Sequence, residues 1–314
     1  LVVAQRPRLC SKLSVKMGNF VMDFIAGGTA GAIAKTCTAP IERVKLIIQT
    51  QDANPKIMSG EVPRYTGIGN CFIRVYQEQG LSAFWRGNLT NVIRYFPTQA
   101  FNFAFKDTIK SFFPKYSPKE NFGMFFLTNL ASGGLAGAGS LCFVYPLDYA
   151  RTRLASDVGS GKQEFTGLMD CLQKTVASGG PAALYNGFGV SVMGIIPYRG
   201  VYFGLFDTIN AMNPFANSDN AVMRICSTFA GAQITAISAG YASYPFDTVR
   251  RRLQMQSNKP KEEWVYSGTA DCFQKIAANE GMGAFFKGAG ANALRTVGSA
   301  LVLVLYGEIK KAFL

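Results

Sequence analysis

Three acid–base pairs recur along the chain in the same local pattern. Each copy reads proline–x–acid–x–x–base, and the copies occupy residues 40–45, 146–151 and 245–250. On a helix, an acid and a base three residues apart share one surface, so each pair can neutralise itself locally. Three separate segments can equally well pair with one another across shared interfaces. The chemistry on offer is ion pairing and anion binding.

The composition excludes several kinds of catalysis. The 314 residues contain no histidine, so triads and general bases built on histidine are excluded. The chain lacks a Gly-x-x-x-x-Gly-Lys-Ser/Thr loop for nucleotide hydrolysis. Its seven cysteines include no Cys-x-x-Cys, so no zinc or other metal site is expected. We expect a protein that is not an enzyme and has no cofactor.

Two further motifs repeat in the same order as the acid–base pattern. Tyr65-x-Gly67-x-x-x-Cys71 returns at residues 165–171 and 266–272, where the cysteines follow at spacings of 100 and 101 residues. The turn at residues 84–87 returns at 184–187 and 285–288. An internal threefold repeat predicts a pseudo-threefold object whose central axis is the natural place for function. Cys71, Cys171 and Cys272 then lie too far apart to bond each other, and we interpret them as structural thiols.

The composition favours a membrane bundle over a soluble helical protein. Hydrophobic residues make up 48% of the chain and charged residues 16%. Several long segments are apolar with regularly placed polar residues, as helices around a wet cavity would be. Gly27 with Gly31 and Gly133 with Gly137 have the spacing that lets helix backbones approach closely in lipid. The alternative is a soluble protein of amphipathic helices.

The net charge of +13 predicts an anionic partner. No nucleic-acid-binding module is recognisable, so small anions and lipid head groups are favoured.

The hydrophobic pattern predicts an all-α membrane protein, a six-transmembrane-helix bundle with a short surface helix in each repeat. We expect long helices near 20–50, 89–112, 124–154, 190–211, 221–255 and 290–313, and surface helices near 68–79, 168–178 and 269–279. One membrane domain would contain a basic extension (1–18) and repeats at 19–115, 116–215 and 216–314. The proline in each odd helix would kink it and draw the helix ends together.

The threefold order predicts a ring of ion pairs where those ends meet. Its pairs would be Glu42–Arg151, Asp148–Arg250 and Asp247–Lys45. Gln49 and Gln254 follow their bases by four residues and could brace two of the pairs. The alternative is three local helix pairs on a solvated face, but recurrence of the order favours the ring.

The triplicated Pro-x-[Asp/Glu]-x-x-[Lys/Arg] pattern resembles the signature of the mitochondrial carrier family. The resemblance covers nearly all of residues 20–313 and is similar in detail to the branch that exchanges ADP for ATP. The segments that carry it are 86–100, 145–154 and 198–204. It implies a multi-pass protein of the inner mitochondrial membrane that works by alternating access, with the ring as a gate on the matrix side.

Repeat symmetry places Arg94, Gly194 and Arg295 at one depth, and Lys35 breaks the symmetry because its counterparts are Leu141 and Gly240. Guanidinium groups grip phosphates in bidentate fashion, and the glycine leaves room for a flat base. The resemblance implies that Lys35, Arg94 and Arg295 hold the phosphates. It also implies an adenine pocket formed by Gly194, Ile195, Tyr198 and Ser243, with Asn102 nearby.

The family carries a second ring on the cytoplasmic ends of the even helices. The matching charged positions here are Asp107, Lys110, Asp207 and Lys310. Asn210 would face Gly307, so one pair of that ring is missing. We expect a resting bias toward the cytoplasm-open state, or lost transport if the chain is a structural subunit. The family's Arg-Arg-Arg-Met-Met-Met run is also altered, since residues 250–255 read Arg-Arg-Arg-Leu-Gln-Met.

Glycines at repeat-equivalent positions predict lipid sites. Backbone N–H groups at helix starts attract phosphate, and the resemblance implies cardiolipin at three sites. The residues are Gly67, Gly87, Gly167, Gly187, Gly268 and Gly288. Asn186 replaces the basic residue of the second site, which should therefore be the weakest. The alternative is that these glycines only make turns.

Two other functions remain open from the sequence. One is a carrier of another adenine-containing anion, since the same arginines would serve it. The other is a carrier fold retained as a structural subunit of a larger respiratory membrane complex. The basic extension, with Arg6, Arg8, Lys12 and Lys16, is consistent with a partner-binding segment, a targeting segment or a processed end, and Met17 could be an internal start.

Overall fold

The computed structural model describes the backbone of residues 6–114, 116, 121–161, 163–215 and 218–313. Side chains are described within that part from residue 27 to 304, except at positions 103, 106, 107, 110, 122, 207, 210, 211, 221 and 303.

The same succession of helices occurs three times. A long helix is followed by a short surface helix, a 3₁₀ turn and a second long helix. The helices are α1 (Arg6–Thr50), α2 (Pro55–Met58), α3 (Ile68–Gln79), α4 (Asn88–Ser111), α5 (Phe122–Ala155), α6 (Leu168–Gly179), α7 (Phe188–Met212), α8 (Ala221–Gln256), α9 (Thr269–Glu280) and α10 (Ala289–Phe313). The 3₁₀ turns are Gln51–Ala53, Leu81–Trp85, Pro181–Tyr185, Lys261–Glu263 and Met282–Phe286. The all-helical, threefold fold class is confirmed.

The six long helices form a closed ring. The most extensive packing joins α4 to α5, α7 to α8 and α10 to α1, so the even helix of each repeat lies against the odd helix of the next. The last of these contacts closes the circle between the third repeat and the first. Residues pointing inward from all three repeats can therefore meet on one axis.

The helix boundaries agree with the predicted spans except at the amino-terminal end. The basic segment predicted as an extension is helical from Arg6, and α1 is 45 residues long. Pro7 lies in its first turn, where proline is tolerated, and the next proline in the helix is Pro40. Pro40, Pro146 and Pro245 all lie inside helices, so each removes one hydrogen bond at an equivalent level of α1, α5 and α8.

Each surface helix packs against the end of its long helix through a buried cysteine. Cys71, Cys171 and Cys272 are 0% exposed and free. Burial raises the pKa of each thiol to about 12, because the thiolate would lose its hydration. The three cysteines therefore behave as apolar packing groups, as predicted.

The predicted glycine pairs make room for side chains. A Cβ on Gly31 would lie 2.5 Å from the ring of Tyr95 on α4, and one on Gly133 would lie 2.3 Å from Arg199 on α7. Nothing lies within 4 Å of a Cβ on Gly27. The atoms nearest to Gly31 and Gly133 thus belong to long side chains of neighbouring helices.

Two helices within the described residues are long and apolar enough to cross a membrane by length and composition, Gly123–Ala155 and Pro181–Phe206. Charged residues of α1, α5 and α8 contact one another across the bundle.

Candidate functional site

The structure brings together the members of all three predicted ring pairs. Arg151 contacts Glu42, Arg250 contacts Asp148, and Lys45 Nζ lies 2.9 Å from Asp247 Oδ2. Each acid pairs with a base from the following repeat, so α1, α5 and α8 are linked in a circle. We call these six residues the acid–base ring. The local pairing considered from the sequence is not what these contacts show.

Three of the six ring residues are almost fully removed from water, while the side chains of Glu42, Arg250 and Asp247 are 16%, 14% and 24% exposed. Asp148 is 3% exposed, Arg151 7% and Lys45 8%. Burying a charge is costly unless it is paired and hydrogen-bonded, so the ring holds together only as a set of partners.

Two glutamines add hydrogen bonds to the ring. Gln49 Nε2 donates to Asp247 Oδ2 and to Thr248 Oγ1, at 3.1 Å in each case. Gln254 Nε2 lies 3.5 Å from Asp148 Oδ2. Both contacts are those predicted from the spacing of the glutamines.

Arg251 is a ring component that the sequence analysis missed. Its Nη1 lies 3.1 Å from Asp148 Oδ2, and its Nε lies 3.4 Å from Asp247 Oδ1. Arg251 therefore bridges two of the three acids. The available signal was that Arg251 directly follows Arg250 in a run of three arginines.

Glycine turns press against the backbone of the ring. Gly87, Gly187 and Gly288 have φ values of 79°, 82° and 84°, a region that favours glycine. A Cβ at these positions would lie 3.2, 3.1 and 3.1 Å from the carbonyl oxygens of Arg151, Arg250 and Lys45. Each turn thus fits against the base that the next repeat contributes to the ring.

A cavity of about 650 Å³ opens on one side of the ring. Lys45, Asp247 and Arg250 line its inner end. Five of the predicted substrate residues lie on its wall, Asn102, Gly194, Ile195, Tyr198 and Ser243. The structure therefore brings these five residues together around one cavity.

The three cations predicted to hold phosphate lie beside the ring, off the wall of this cavity. Arg94 Nη1 is 3.8 Å from Asp148 Oδ1, and Arg295 Nε is 4.0 Å from Glu42 Oε1. Lys35 Nζ lies 5.1 Å from the centre of the Tyr95 ring. At these distances the two arginines are attracted by the acids of the ring, as Coulomb's law requires.

Several cavity residues were not selected from the sequence. Arg199, Tyr202, Phe203 and Asn292 line the same space. Tyr198, Tyr202 and Phe206 stack in succession along α7, with ring centres 6.0 and 5.8 Å apart. Their four-residue spacing, which places them on one helix face, was the available signal.

A second layer of contacts joins the repeats beyond the ring. Asp52 Oδ2 lies 3.1 Å from Arg252 Nη2 and 2.6 Å from Lys287 Nζ, and Asp157 Oδ1 lies 3.1 Å from Lys56 Nζ. Burial alone would raise the pKa of Glu280, but hydrogen bonds from Arg252 and Lys287 hold it at about 2. We call the contacts of Asp52 and Asp157 the collar.

The predicted cytoplasmic gate falls outside the described side chains. Asp107 and Lys110 belong to α4, Asp207 to α7 and Lys310 to α10, and their side chains lie outside the described residues. Asn210 and Gly307 lie in the same undescribed set.

The predicted lipid glycines fall into two groups. The first group, Gly87, Gly187 and Gly288, forms the turns against the ring described above. Gly67, Gly167 and Gly268 cap the amino ends of α3, α6 and α9, with extended φ and open space where a Cβ would stand. Gly187 and Gly268 line one groove of about 740 Å³ together with Lys259 and Lys261.

The chain matches the family described as Mitochondrial carrier protein over residues 16–117, 123–214 and 222–314. It is 66% identical over 293 residues to the ADP,ATP carrier protein of Parachlorella kessleri, covering 93% of this chain and 85% of that protein. Identity is 54% over 296 residues with ADP/ATP translocase 2 of Bos taurus and with ADP/ATP translocase 3 of Homo sapiens, covering 93% of this chain and 97% of each relative.

Proposed function

The chain belongs to the mitochondrial carrier family, and we propose that it exchanges ADP for ATP across the inner mitochondrial membrane. It is a multi-pass transporter and not an enzyme, since exchange makes and breaks no covalent bond. The identity of 54–66% over 93% of the chain favours nucleotide exchange over transport of another anion or a purely structural role.

The observation that carries the proposal is the cavity that ends on the acid–base ring. Six cations, Lys45, Arg94, Arg151, Arg250, Arg251 and Arg295, contact three carboxylates. Three positive charges are left over in a largely buried region. A polyphosphate anion of similar charge is the ligand that such a surplus would attract most strongly.

In this proposal Lys35, Arg94 and Arg295 bind the phosphates. Both arginines lie about 4 Å from ring acids and can turn toward an incoming anion. The base would rest among Gly194, Ile195, Tyr198 and Ser243, where Gly194 leaves a flat surface next to Phe246. Asn102 lines the same cavity and offers an amide to the nucleoside.

Alternating access would require a gate at each end of the bundle. With the ring closed, the cavity is reachable from one side only, which the proposal takes as the cytoplasmic side. Nucleotide that occupies Arg94 and Arg295 removes cations from ring acids, so the ring is less stable when substrate is bound. The matrix side would then open, and a second ring of Asp107, Lys110, Asp207 and Lys310 would close the other end.

Cardiolipin is proposed as a lipid partner at the helix starts. The groove at Gly187 and Gly268 combines the amino end of α9 with Lys259 and Lys261, which suits a phosphate group. Asn186 uses its Nδ2 to donate to Leu253 O at 3.0 Å. The two lysines can replace the charge that Asn186 lacks. We therefore do not propose that the second lipid site, at Asn186, is the weakest of the three.

The proposal is tested by exchange in liposomes. Vesicles containing the protein are loaded with ADP, and uptake of labelled ADP, ATP, AMP and phosphate is compared. We expect uptake of ADP and ATP that needs internal nucleotide, with AMP and phosphate taken up far more slowly. Equal uptake of all four, or none of any, would contradict the proposal.

A further inference from the structure

The ring is built from three interfaces that are not equivalent. We call the interface of Glu42 with Arg151 the first seam, that of Asp148 with Arg250 the second seam, and that of Asp247 with Lys45 the third seam. Repeat symmetry would give each seam the same supporting residues, so any difference between them is a property of this sequence.

The second and third seams each have a tyrosine beneath the base. Arg250 lies over the Tyr145 ring and Lys45 over the Tyr244 ring, in both cases 5.1 Å from the ring centre. The hydroxyls of the tyrosines also donate to backbone carbonyls of the adjacent glycine turns, Tyr145 to Asn186 O and Tyr244 to Lys287 O. The equivalent position in the first seam is Ala39.

The same two seams have the glutamine braces. Gln254 serves the second seam and Gln49 the third. The equivalent position in the first seam is Ala155, which is 4% exposed and offers no side-chain hydrogen bond. The first seam therefore lacks both supports at once.

A small cavity lies where those two side chains would stand. It measures about 10 Å³, and Ala39, Glu42, Asn91, Arg151 and Ala155 are among its walls. Asn91 Nδ2 donates to Glu42 Oε2 at 3.0 Å, while its Oδ1 is buried without a partner among the described residues. The space is about that of one water molecule, so the first seam is less tightly packed than a braced one.

Glu42 also shares a cation with the proposed phosphate site. Its second basic neighbour after Arg151 is Arg295, at 4.0 Å. Asp148 makes a comparable contact with Arg94 at 3.8 Å, but it keeps Arg250, Arg251 and Gln254 when Arg94 leaves. Loss of one cation therefore removes a larger share of the partners of Glu42 than of those of Asp148.

We propose that nucleotide binding loosens the ring at the first seam, because Arg295 links the phosphate site to Glu42. The inference rests on the proposed function, since it needs a nucleotide that takes Arg295. When Arg295 turns to phosphate, Glu42 retains Arg151 and Asn91 but has no tyrosine or glutamine support. Beyond the ring, the collar still joins the first and second repeats through Lys56 and Asp157. The proposed loosening therefore concerns the ring alone and precedes opening of the collar.

The first test supplies the missing support. Ala155→Gln puts a glutamine at the position equivalent to Gln49 and Gln254, and Ala155→Leu fills the same space without a hydrogen bond. We expect Ala155→Gln to raise the unfolding temperature without nucleotide and to lower the maximal exchange rate about two- to tenfold, the range that one net hydrogen bond supplies. The concentration of ADP at half-maximal rate should change little. Equal effects of the two variants on rate, or a stabilised Ala155→Gln with an unchanged maximal rate, would overturn the inference.

The second test uses the unmodified protein, so it does not depend on whether a variant folds. Each glycine turn rests on one seam, and hydrogen exchange of the segments 86–91, 186–191 and 287–292 reports the three seams separately. Saturating ADP should increase exchange at 86–91 more than at the other two. A uniform change, or a larger change at another turn, would overturn the inference. A parent protein that exchanges no nucleotide in liposomes would instead refute the proposed function itself.

Discussion

The acid–base ring and the wall of the cavity lie next to each other and are built in opposite ways. The ring repeats one motif in every third of the chain, and Asp148, Arg151 and Lys45 are each at most 8% exposed. On the cavity wall Tyr198 is 39% exposed, and the stack that it begins with Tyr202 lies on α7 alone. The contrast fits the proposal that symmetric residues close the bundle, whereas asymmetric residues recognise an asymmetric ligand.

The largest effect is expected where a buried charge loses its partner. Asp148→Asn removes the carboxylate that Arg250 and Arg251 contact, and breaking such a buried pair costs about 3–5 kcal/mol. Asp170→Asn, which breaks a pair with Lys174 on a surface helix, is the matched control and should alter stability little. Thermal unfolding in detergent measures both. Similar losses for the two variants would show that burial of the ring does not govern its contribution.

The next effect separates substrate recognition from closure. Arg295→Ala removes a charge-assisted contact worth about 1.5–3 kcal/mol to bound phosphate, so exchange should fall roughly 10- to 100-fold. Arg94→Ala should behave in the same way. The fold should persist, because Glu42 retains Arg151 and Asp148 retains Arg250. Exchange near the parent rate by either variant would remove that arginine from the phosphate site.

A smaller effect distinguishes the two groups of glycines. Gly187→Ala places a side chain at φ 82° and 3.1 Å from Arg250 O, and left-handed backbone costs about 1–2 kcal/mol in residues other than glycine. We expect lower thermal stability in every lipid.

Gly268→Ala is the comparison, since it meets no atom within 4 Å and its φ is extended. This variant should keep its stability in detergent but gain less from cardiolipin than the parent protein does. Cardiolipin that stabilises the parent no better than a zwitterionic lipid would exclude the lipid site.

The smallest effect concerns the opposite end of the bundle. Asn210→Lys combined with Gly307→Asp adds the pair that the sequence lacks there, and an exposed pair contributes about 0.2–1 kcal/mol. Conformers that differ by a few kcal/mol are redistributed by such changes, so occupancy of the matrix-open state should rise. Labelling of single cysteines in the cavity from each side measures this, and an unchanged pattern would mean that the missing pair has no weight in gating.

Much of the ring could be predicted from the sequence, because its residues are fixed by a repeated motif. Glu42, Asp148 and Asp247 each contact the base that the repeat order predicts. The spacing of Gln49 and Gln254 from the bases predicts both of their contacts with ring acids. Arg251 could not be placed in this way, since its bridge between two acids depends on the distance between α5 and α8.

The cavity wall was less accessible to sequence reasoning. Arg199 contributes to it because Gly133 leaves room on the neighbouring helix, a contact between residues far apart in the chain. The positions of Arg94 and Arg295 beside ring acids likewise depend on three helices meeting. Spacing identifies which residues share a depth, but it does not say which partner each one prefers in a given state.

The most direct measurement is labelling of the cavity wall in the presence of ligand. Ser243→Cys is introduced into a chain in which Cys10 and the exposed cysteines of the described residues, Cys37, Cys142 and Cys226, are replaced by serine. The same chain without Ser243→Cys is the control. A membrane-impermeant thiol reagent should reach Cys at this position from one side, and ADP or ATP should slow the reaction whereas AMP and phosphate do not. Labelling that is indifferent to nucleotide, or equal from both sides, would contradict a nucleotide site above a closed ring.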